Sequence, residues 1–392
     1  MKRIFLLAFI LMARLGYAQQ VQPVEIPWMV QKYKTVEWYK QQIEAWEQVV
    51  ARDPQNENAW MNLSKAFKYA NWTDEAGYAR RQALYERMRQ AIPDTYTYHF
   101  CAQDNYNDSI SDTHMERAYQ LMPEGRIFGE EYGTFIAYFW KSGKEKELKD
   151  VAQRYYREQS VPGSLLRYNY NELQCLPQNA IYFGNGDAIL LPKIALQYGM
   201  GVHTDKFVIC ASFLYIPDYY QQVCRQLGIE PEQFDMDDYR TESTWQNYLP
   251  ERIRYIIRQS GRPSYFSPAS LSGGSGLEPL QEHLYNEGLV LRYSEKPYDN
   301  YARVRENLEQ NIRLDYLVEP PFVIEPEWQS AHDLTYNYFI LLSPLIAKYK
   351  AWNNPERAAW LKNLLTRALQ QSKMKDTLKK DAQKYLNKYA SE

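Results

Sequence analysis

The sequence is poor in histidine, cysteine and glycine, with 5, 4 and 17 of them among 392 residues. The histidines form neither an HExxH motif nor an i, i+4 pair, so the sequence predicts no metal site and no cofactor. No two cysteines form a CxxC pair, which argues against metal or redox chemistry. In an oxidising compartment they allow three disulfide pairings, but a chain of this length folds without disulfides, and unpaired thiols are favoured. The cysteines are Cys101, Cys175, Cys210 and Cys224.

An excess of one charge sign is also missing, because 46 Lys and Arg residues stand against 48 Asp and Glu residues. A nucleic-acid binder normally has a basic excess or a basic stripe, so this function class is excluded. Beyond the first residues, no apolar run approaches the roughly 18 residues of a membrane helix. At roughly 150 residues per domain, the chain is expected to form two or three domains without a transmembrane segment.

Residues 1–18 have the pattern of a secretory signal peptide. Lys2 and Arg3 precede a short apolar run, and Gly16 and Ala18 occupy the small-residue positions of a cleavage site. Its removal takes away basic residues and no acidic ones, which makes the mature chain more acidic. The sequence therefore predicts export to the periplasm or to the extracellular face of a Gram-negative bacterium. The alternative is a buried N-terminal helix.

Residues 19–165 have the apolar spacing of helical hairpins and resemble tetratricopeptide repeats. The first helix of such a repeat carries a large residue, a leucine, a small residue and an aromatic, here Trp60, Leu63, Ser64 and Phe67. Its second helix carries small residues, here Ala76 and Ala83, which are expected to let the first helix pack closely. The later units are irregular in length, so a helical-hairpin array is the prediction and the family resemblance covers one unit well.

A helical-hairpin array buries one face of each hairpin and leaves a concave surface open. The sequence contains 35 Tyr and 10 Trp residues, and those at regular core positions, such as Trp46 and Trp60, are expected to be buried. Other tyrosines are candidates for the open face, where they would contact a protein partner in the cell envelope or a glycan. These candidates are Tyr96, Tyr98, Tyr106 and Tyr155.

Residues 166–325 change to short apolar runs that predict a small α/β domain. Two runs flank a helical pattern at 190–198, which indicates a βαβ unit and a parallel sheet. Residues 262–267 and 287–293 predict a third and a fourth strand. Ligands of parallel sheets bind at the carboxyl ends of strands, and we expect Asn185, Gly186 and Asp187 to lie there. Asp187 either caps the following helix or contacts the ligand.

The loop at residues 184–187 is not a known nucleotide motif. In the dinucleotide pattern GxGxxG, the third glycine position is taken by Ile189, and the loop lacks a Walker lysine. Neither a dinucleotide nor a nucleoside triphosphate is therefore predicted as the ligand.

Several segments from residue 176 to residue 369 resemble, in the same order, the soluble part of a bacterial membrane family described as similar to protein O-mannosyltransferases. They include the Asn-Gly-Asp stretch ending at Asp187, the Arg-Pro-Ser-Tyr-Phe stretch with Arg262 and Tyr265, and the segment at 284–293. The resemblance implies a related extracytoplasmic domain with Arg262 and Tyr265 added to the candidate ligand site. Because the multi-pass membrane half of that family is missing, it does not imply a transferase.

Residues 326–392 predict a C-terminal helical hairpin and an amphipathic tail. The fold class is thus mixed α and α/β, with a helical-hairpin array, a small α/β domain and this last hairpin. No catalytic constellation is recognisable, and an exported scaffold or binding module for protein partners is the leading hypothesis for function. A glycan-binding or glycan-processing protein is the second, and a soluble accessory to a membrane glycosyltransferase is the third.

Overall fold

A computed structural model describes residues 21–27, 34–70, 75–105, 107–123, 131–158, 161–233, 236–271, 276–319 and 328–391. The predicted signal peptide and Tyr106 lie outside these residues. The chain divides into two compact units, Met1–Glu131 and Tyr132–Glu392. Helices dominate and the second unit adds a five-stranded sheet, so the prediction of a mixed α and α/β fold is confirmed at this level.

The first unit is built from helices that begin at recognisable caps. The side chains of Thr35, Thr95 and Asn107 each accept a hydrogen bond from the backbone N–H three residues later, which starts a helix at each position. The helices are α1 (Val36–Arg52), α2 (Glu57–Ala70), α3 (Glu75–Ala91), α4 (Tyr96–Ala102) and α5 (Asp108–Gln120).

Packing in the first unit agrees only partly with the repeat pattern. Trp46 and Trp60 are buried, as predicted, and α1 packs along α2. Ala76 and Ala83 on α3 are exposed, whereas Gly77 is buried. The small residues therefore do not make the close helix contact that the repeat pattern predicts, because α3 presents a different face to the core.

In the second unit, helices precede, separate and follow the strands along the chain. Its helices are α6 (Glu131–Lys141, beginning at the boundary), α7 (Glu145–Arg157), α8 (Gly163–Gln174), α9 (Asp187–Ile194), α10 (Pro217–Leu227), α11 (Glu242–Ser260), α12 (Tyr301–Glu306), α13 (Gln329–Asp333), α14 (Tyr336–Ala351), α15 (Pro355–Gln371) and α16 (Asp376–Ser391). Its strands are β1 (Ile181–Gly184), β2 (Phe207–Cys210), β3 (Ser264–Phe266), β4 (Leu284–Asn286) and β5 (Leu291–Tyr293). In the described part of the chain, no helix is both long enough and apolar enough to cross a membrane.

The sheet has the strand order β2-β1-β3-β5-β4. Strand β1 pairs in parallel with β2 and with β3, which confirms the predicted βαβ unit and parallel sheet. The antiparallel β5 and β4 extend the sheet beyond β3. The predicted fourth strand corresponds to β5, and β4 was not predicted because its three half-buried residues carry no clear alternation.

One hydrophobic core joins α8, the sheet and the C-terminal helices. A single cluster of buried residues includes Tyr168 of α8, Tyr182 and Tyr265 of the sheet, and side chains of α14, α15 and α16. The sequence pattern favoured boundaries at 165 and 325, whereas the structure divides after Glu131. Helices α14 to α16 cover a sheet that is too small to bury its own face.

Candidate functional site

The loop after β1 connects the strand directly to α9. Gly186 has φ +88° and takes the N-cap position, so Asp187 is the first residue inside the helix. No side-chain capping bond is made at this end. The predicted capping role of Asp187 is therefore wrong, because a glycine in the left-handed region has taken that place.

Hydrogen bonds join this loop to the ends of both neighbouring strands. The Asn185 backbone N–H donates to Ser270 Oγ at 2.7 Å, in the segment that follows β3. The Ser212 backbone N–H donates to Asn185 Oδ1 at 2.8 Å, just beyond β2. The carboxyl ends of β2, β1 and β3 are thus tied together at the point where the strand order reverses direction, which is the usual ligand position in open α/β sheets.

Asp187 lies at the surface of this loop. Its carboxylate has no hydrogen-bond or ion-pair partner among the described residues. Protein atoms on its inner side exclude enough water to raise the pKa of the carboxyl group. Nearby, Cys210 Sγ lies 3.3 Å from Ser212 Oγ. Burial raises the pKa of the Cys210 thiol, and the Asp187 carboxylate adds to that shift.

An aromatic cluster of Tyr215, Tyr239, Trp245 and Tyr248 follows the carboxyl end of β2. Tyr215 and Trp245 stack with ring centroids 5.1 Å apart, and Trp245 is 41% exposed. Tyr248 stacks on both rings, at 5.4 Å from each. The sequence reasoning missed this cluster, although Trp245 and Tyr248 are three residues apart on α11 and so share one helix face.

Arg262 and Tyr265 do not join the Asn-Gly-Asp loop. Arg262 precedes β3 at the amino end of the sheet, where its guanidinium lies 4.4 Å from the ring centroid of Phe207. Tyr265 is buried in the middle of β3, and its hydroxyl donates to Glu287 Oε2 at 2.9 Å. The three residues of β3 separate the two ends of the sheet. Residues before β3 and within it therefore have different neighbours from the residues that follow it.

Glu287 is almost fully buried and gathers partners from several elements. The Tyr298 hydroxyl donates to its Oε1 at 2.6 Å. Arg292 Nη1 lies 3.4 Å from Oε1 and Arg303 Nε lies 3.9 Å from Oε2. Burial, followed by the Glu287 carboxylate, raises the pKa of Tyr265. The arrangement holds Tyr265 in a structural role rather than offering it to a ligand.

A cavity of about 720 Å³ lies at the opposite end of the sheet, beyond the amino end of β2. Lys149 and Glu145 of α7, Lys206 and the π-helical turn Ala195–Met200 contribute to its lining. The sequence reasoning did not find this cavity, since its walls come together only when α7 packs against that turn.

Of the four candidate repeat-face tyrosines, the structure describes Tyr96, Tyr98 and Tyr155, and none of these three is exposed. Tyr96 is buried and its hydroxyl donates to Glu131 Oε2, and Tyr155 is 1% exposed. Tyr98 is half-buried against His114, with ring centroids 5.4 Å apart. An open-face role therefore does not hold for Tyr96 or Tyr155, whose rings fill helix contacts instead.

All four cysteines are buried and free, as the sequence favoured. Among the described residues, no group of three or more His, Cys, Asp and Glu side chains is arranged to hold a metal ion. No protein-family model, no curated protein and no solved structure matches the chain.

Proposed function

We propose that the chain is a binding protein that holds a glycan at a strand-end site made of Asn185, Gly186, Asp187, Ser212 and Ser270. The observation that carries this proposal is the carboxylate of Asp187, which has no partner in the described part of the chain and lies beside a loop fixed by hydrogen bonds to two neighbouring strand ends. A fixed loop with an unused acceptor is suited to binding because little order must be created when the ligand arrives.

The chemistry of the surrounding residues favours a hydroxyl-rich ligand. A carboxylate accepts hydrogen bonds from paired sugar hydroxyls, and the Asn185 carboxamide still has its N–H groups to donate. The exposed ring of Trp245 offers a flat apolar surface at the same end of the sheet, which suits the C–H face of a sugar. A few polar groups beside an apolar surface are typical of small-ligand sites.

The test is a titration of the full chain with neutral and acidic oligosaccharides, followed by tryptophan fluorescence and calorimetry. Asp187→Ala is expected to weaken binding about tenfold or more, since one charged acceptor is lost. Glu356→Ala is the matched control, because Glu356 is also an exposed acid in the first turn of a helix. If no saccharide binds the wild type, or if both variants bind equally, the proposal is abandoned.

A second candidate function is a scaffold for protein partners in the cell envelope, including a membrane glycosyltransferase to which the chain would be an accessory. The successive packed helices of the first unit support it, with Ile110 of α5 left 44% exposed. A photo-crosslinking residue at Ile110 is expected to capture a defined partner in the exporting cell. The same residue at Tyr385 of α16 is the control, and equal capture at both positions contradicts the scaffold.

A further inference from the structure

Three side chains that are wholly enclosed meet beneath the βαβ unit. Asn169 and Glu172 lie three residues apart on one face of α8, and Lys193 reaches them from α9. Lys193 Nζ lies 2.5 Å from Asn169 Oδ1 and also contacts Glu172 Oε2. All three residues are 0% exposed. An amine, a carboxamide and a carboxylate thus lie together, shielded from bulk solvent.

Aromatic and hydroxyl groups surround this triad and fix the carboxylate. The Tyr182 hydroxyl donates to Glu172 Oε2 at 2.8 Å, while Tyr168 and Ser267 donate to Oε1 at 3.2 and 3.1 Å. The Tyr182 ring also faces Lys193, whose Nζ is 4.4 Å from the ring centroid. These hydrogen bonds therefore hold the Glu172 carboxylate beside Lys193 Nζ.

The carboxamide of Asn169 is fixed as well. Its Nδ2 donates to the backbone oxygens of Leu165 and Ala188, at 2.9 and 3.0 Å. Because a C=O bond is about 1.23 Å long, the contact to Oδ1 puts Nζ within about 3.7 Å of Asn169 Cγ. This is close to the separation from which a bound nucleophile attacks.

We propose that Lys193 and Asn169 form an internal amide bond, with Glu172 moving the proton. Glu172 takes a proton from Nζ, the freed lone pair attacks Asn169 Cγ, and a bond between Nζ and Cγ forms. The proton passes from Glu172 to Nδ2, the bond between Cγ and Nδ2 breaks, and ammonia leaves. Glu172 takes the second proton from Nζ, so the products are a neutral amide, ammonia and a protonated Glu172. The step needs no oxidant, reductant or cofactor, and it joins α8 to α9 covalently.

Burial supports the first step. It disfavours the charged ammonium and lowers the pKa of Lys193, although the nearby Glu172 carboxylate acts in the opposite direction. Before the reaction the three ammonium protons have three acceptors, namely Glu172 Oε2, Asn169 Oδ1 and the Ile189 backbone oxygen at 3.1 Å. The transfer of one proton to Glu172 leaves Nζ as the nucleophile beside its electrophile.

Trypsin mapping of the full chain tests the proposal directly. No Lys or Arg lies between Arg167 and Lys193, so an unmodified chain releases peptide 168–193. An acylated Lys193 is not cleaved, and the expected product is peptide 168–206 with a mass about 17 Da below that of its sequence. Fragment ions that place the loss between Asn169 and Lys193 support the bond. Peptide 168–193 as the sole product overturns it.

Matched variants separate this bond from other causes of the same mass change. Asn185→Ser excludes ring closure at the Asn185–Gly186 bond, which also releases ammonia, and it is expected to leave peptide 168–206 unchanged. Asn169→Ala and Glu172→Gln are both expected to restore cleavage after Lys193. If cleavage is restored only in Asn169→Ala, the bond is present and the role of Glu172 is wrong. The tryptic peptide map of the wild type decides by itself whether the bond is present. The test therefore stands even if one of the variants does not fold.

Discussion

Two buried carboxylates lie beneath the same face of the sheet and differ in what surrounds them. Tyr182 of β1 donates to Glu172 and its register partner Tyr265 of β3 donates to Glu287. The cation beside Glu172 is Lys193, which is 0% exposed. The cations beside Glu287 are arginines whose side chains are 44% and 29% exposed. Glu172 therefore depends on internal partners alone, whereas the partners of Glu287 still reach water.

The largest expected effect comes from removing the enclosed amine. Lys193→Met takes away both the cation beside the buried Glu172 and the amine of the proposed amide bond, and we expect the free energy of unfolding to fall by about 3–5 kcal/mol or more. Urea denaturation measures this loss, and Lys206→Met is the control because Lys206 pairs with Asp205, whose side chain is 36% exposed. If the two variants lose equal stability, enclosure is not what distinguishes Glu172.

A smaller effect is expected at the second carboxylate. Tyr265 and Tyr298 donate to the two different oxygens of Glu287. Glu287→Gln keeps the volume but removes the charge and one of these two acceptor oxygens. Because Arg292 and Arg303 are partly solvated, we expect a loss of about 1–3 kcal/mol by urea denaturation. A loss larger than that of Lys193→Met reverses the comparison.

Much of the fold follows from local patterns, and much of the site does not. The period of the apolar residues predicts the helices and the parallel strands β1, β2 and β3. Contact between Tyr265 and Glu287, however, exists only because β5 turns back antiparallel beside β3. Likewise, Lys193 meets Glu172 only through the packing of α8 on α9. Such pairings depend on tertiary structure, which short sequence motifs do not contain.

The strand-end site shows the same limit. The loop position at the carboxyl end of β1 was predicted from the βαβ pattern. The hydrogen bonds that Asn185 donates to Ser270 and accepts from Ser212 are in keeping with it. Arg262 was assigned to the same site from its place in a motif, yet it lies at the other end of β3. The three residues of β3 are enough to place Arg262 at the end of the sheet opposite the strand-end site.

A matched pair of Tyr→Phe substitutions, each removing one hydroxyl group, tests the comparison between Glu172 and Glu287 more finely. Tyr182→Phe removes a donor from the enclosed Glu172, and Tyr265→Phe removes one from Glu287. We expect losses of about 1.5–3 and about 1 kcal/mol, since the second carboxylate has solvated arginines to compensate. Thermal unfolding of both variants gives the order, and equal losses indicate that the arginines contribute nothing.

The smallest effect concerns Asp187, a carboxylate on the same βαβ unit for which the described residues offer no hydrogen-bond or ion-pair partner. Burial raises its folded-state pKa above the unfolded value near 3.8, so the folded chain binds more protons than the unfolded chain just above that pH. Stability is therefore lost as the pH rises through this window, the opposite of a carboxylate stabilised by a cation. Asp187→Asn removes the loss, and we expect its melting temperature to exceed that of the wild type at pH 6 but to match it at pH 3.5. If the variant melts at or below the wild-type temperature at pH 6, Asp187 has a stabilising partner in solution. Its carboxylate is then not an unused acceptor, and the proposed glycan binding loses its main support.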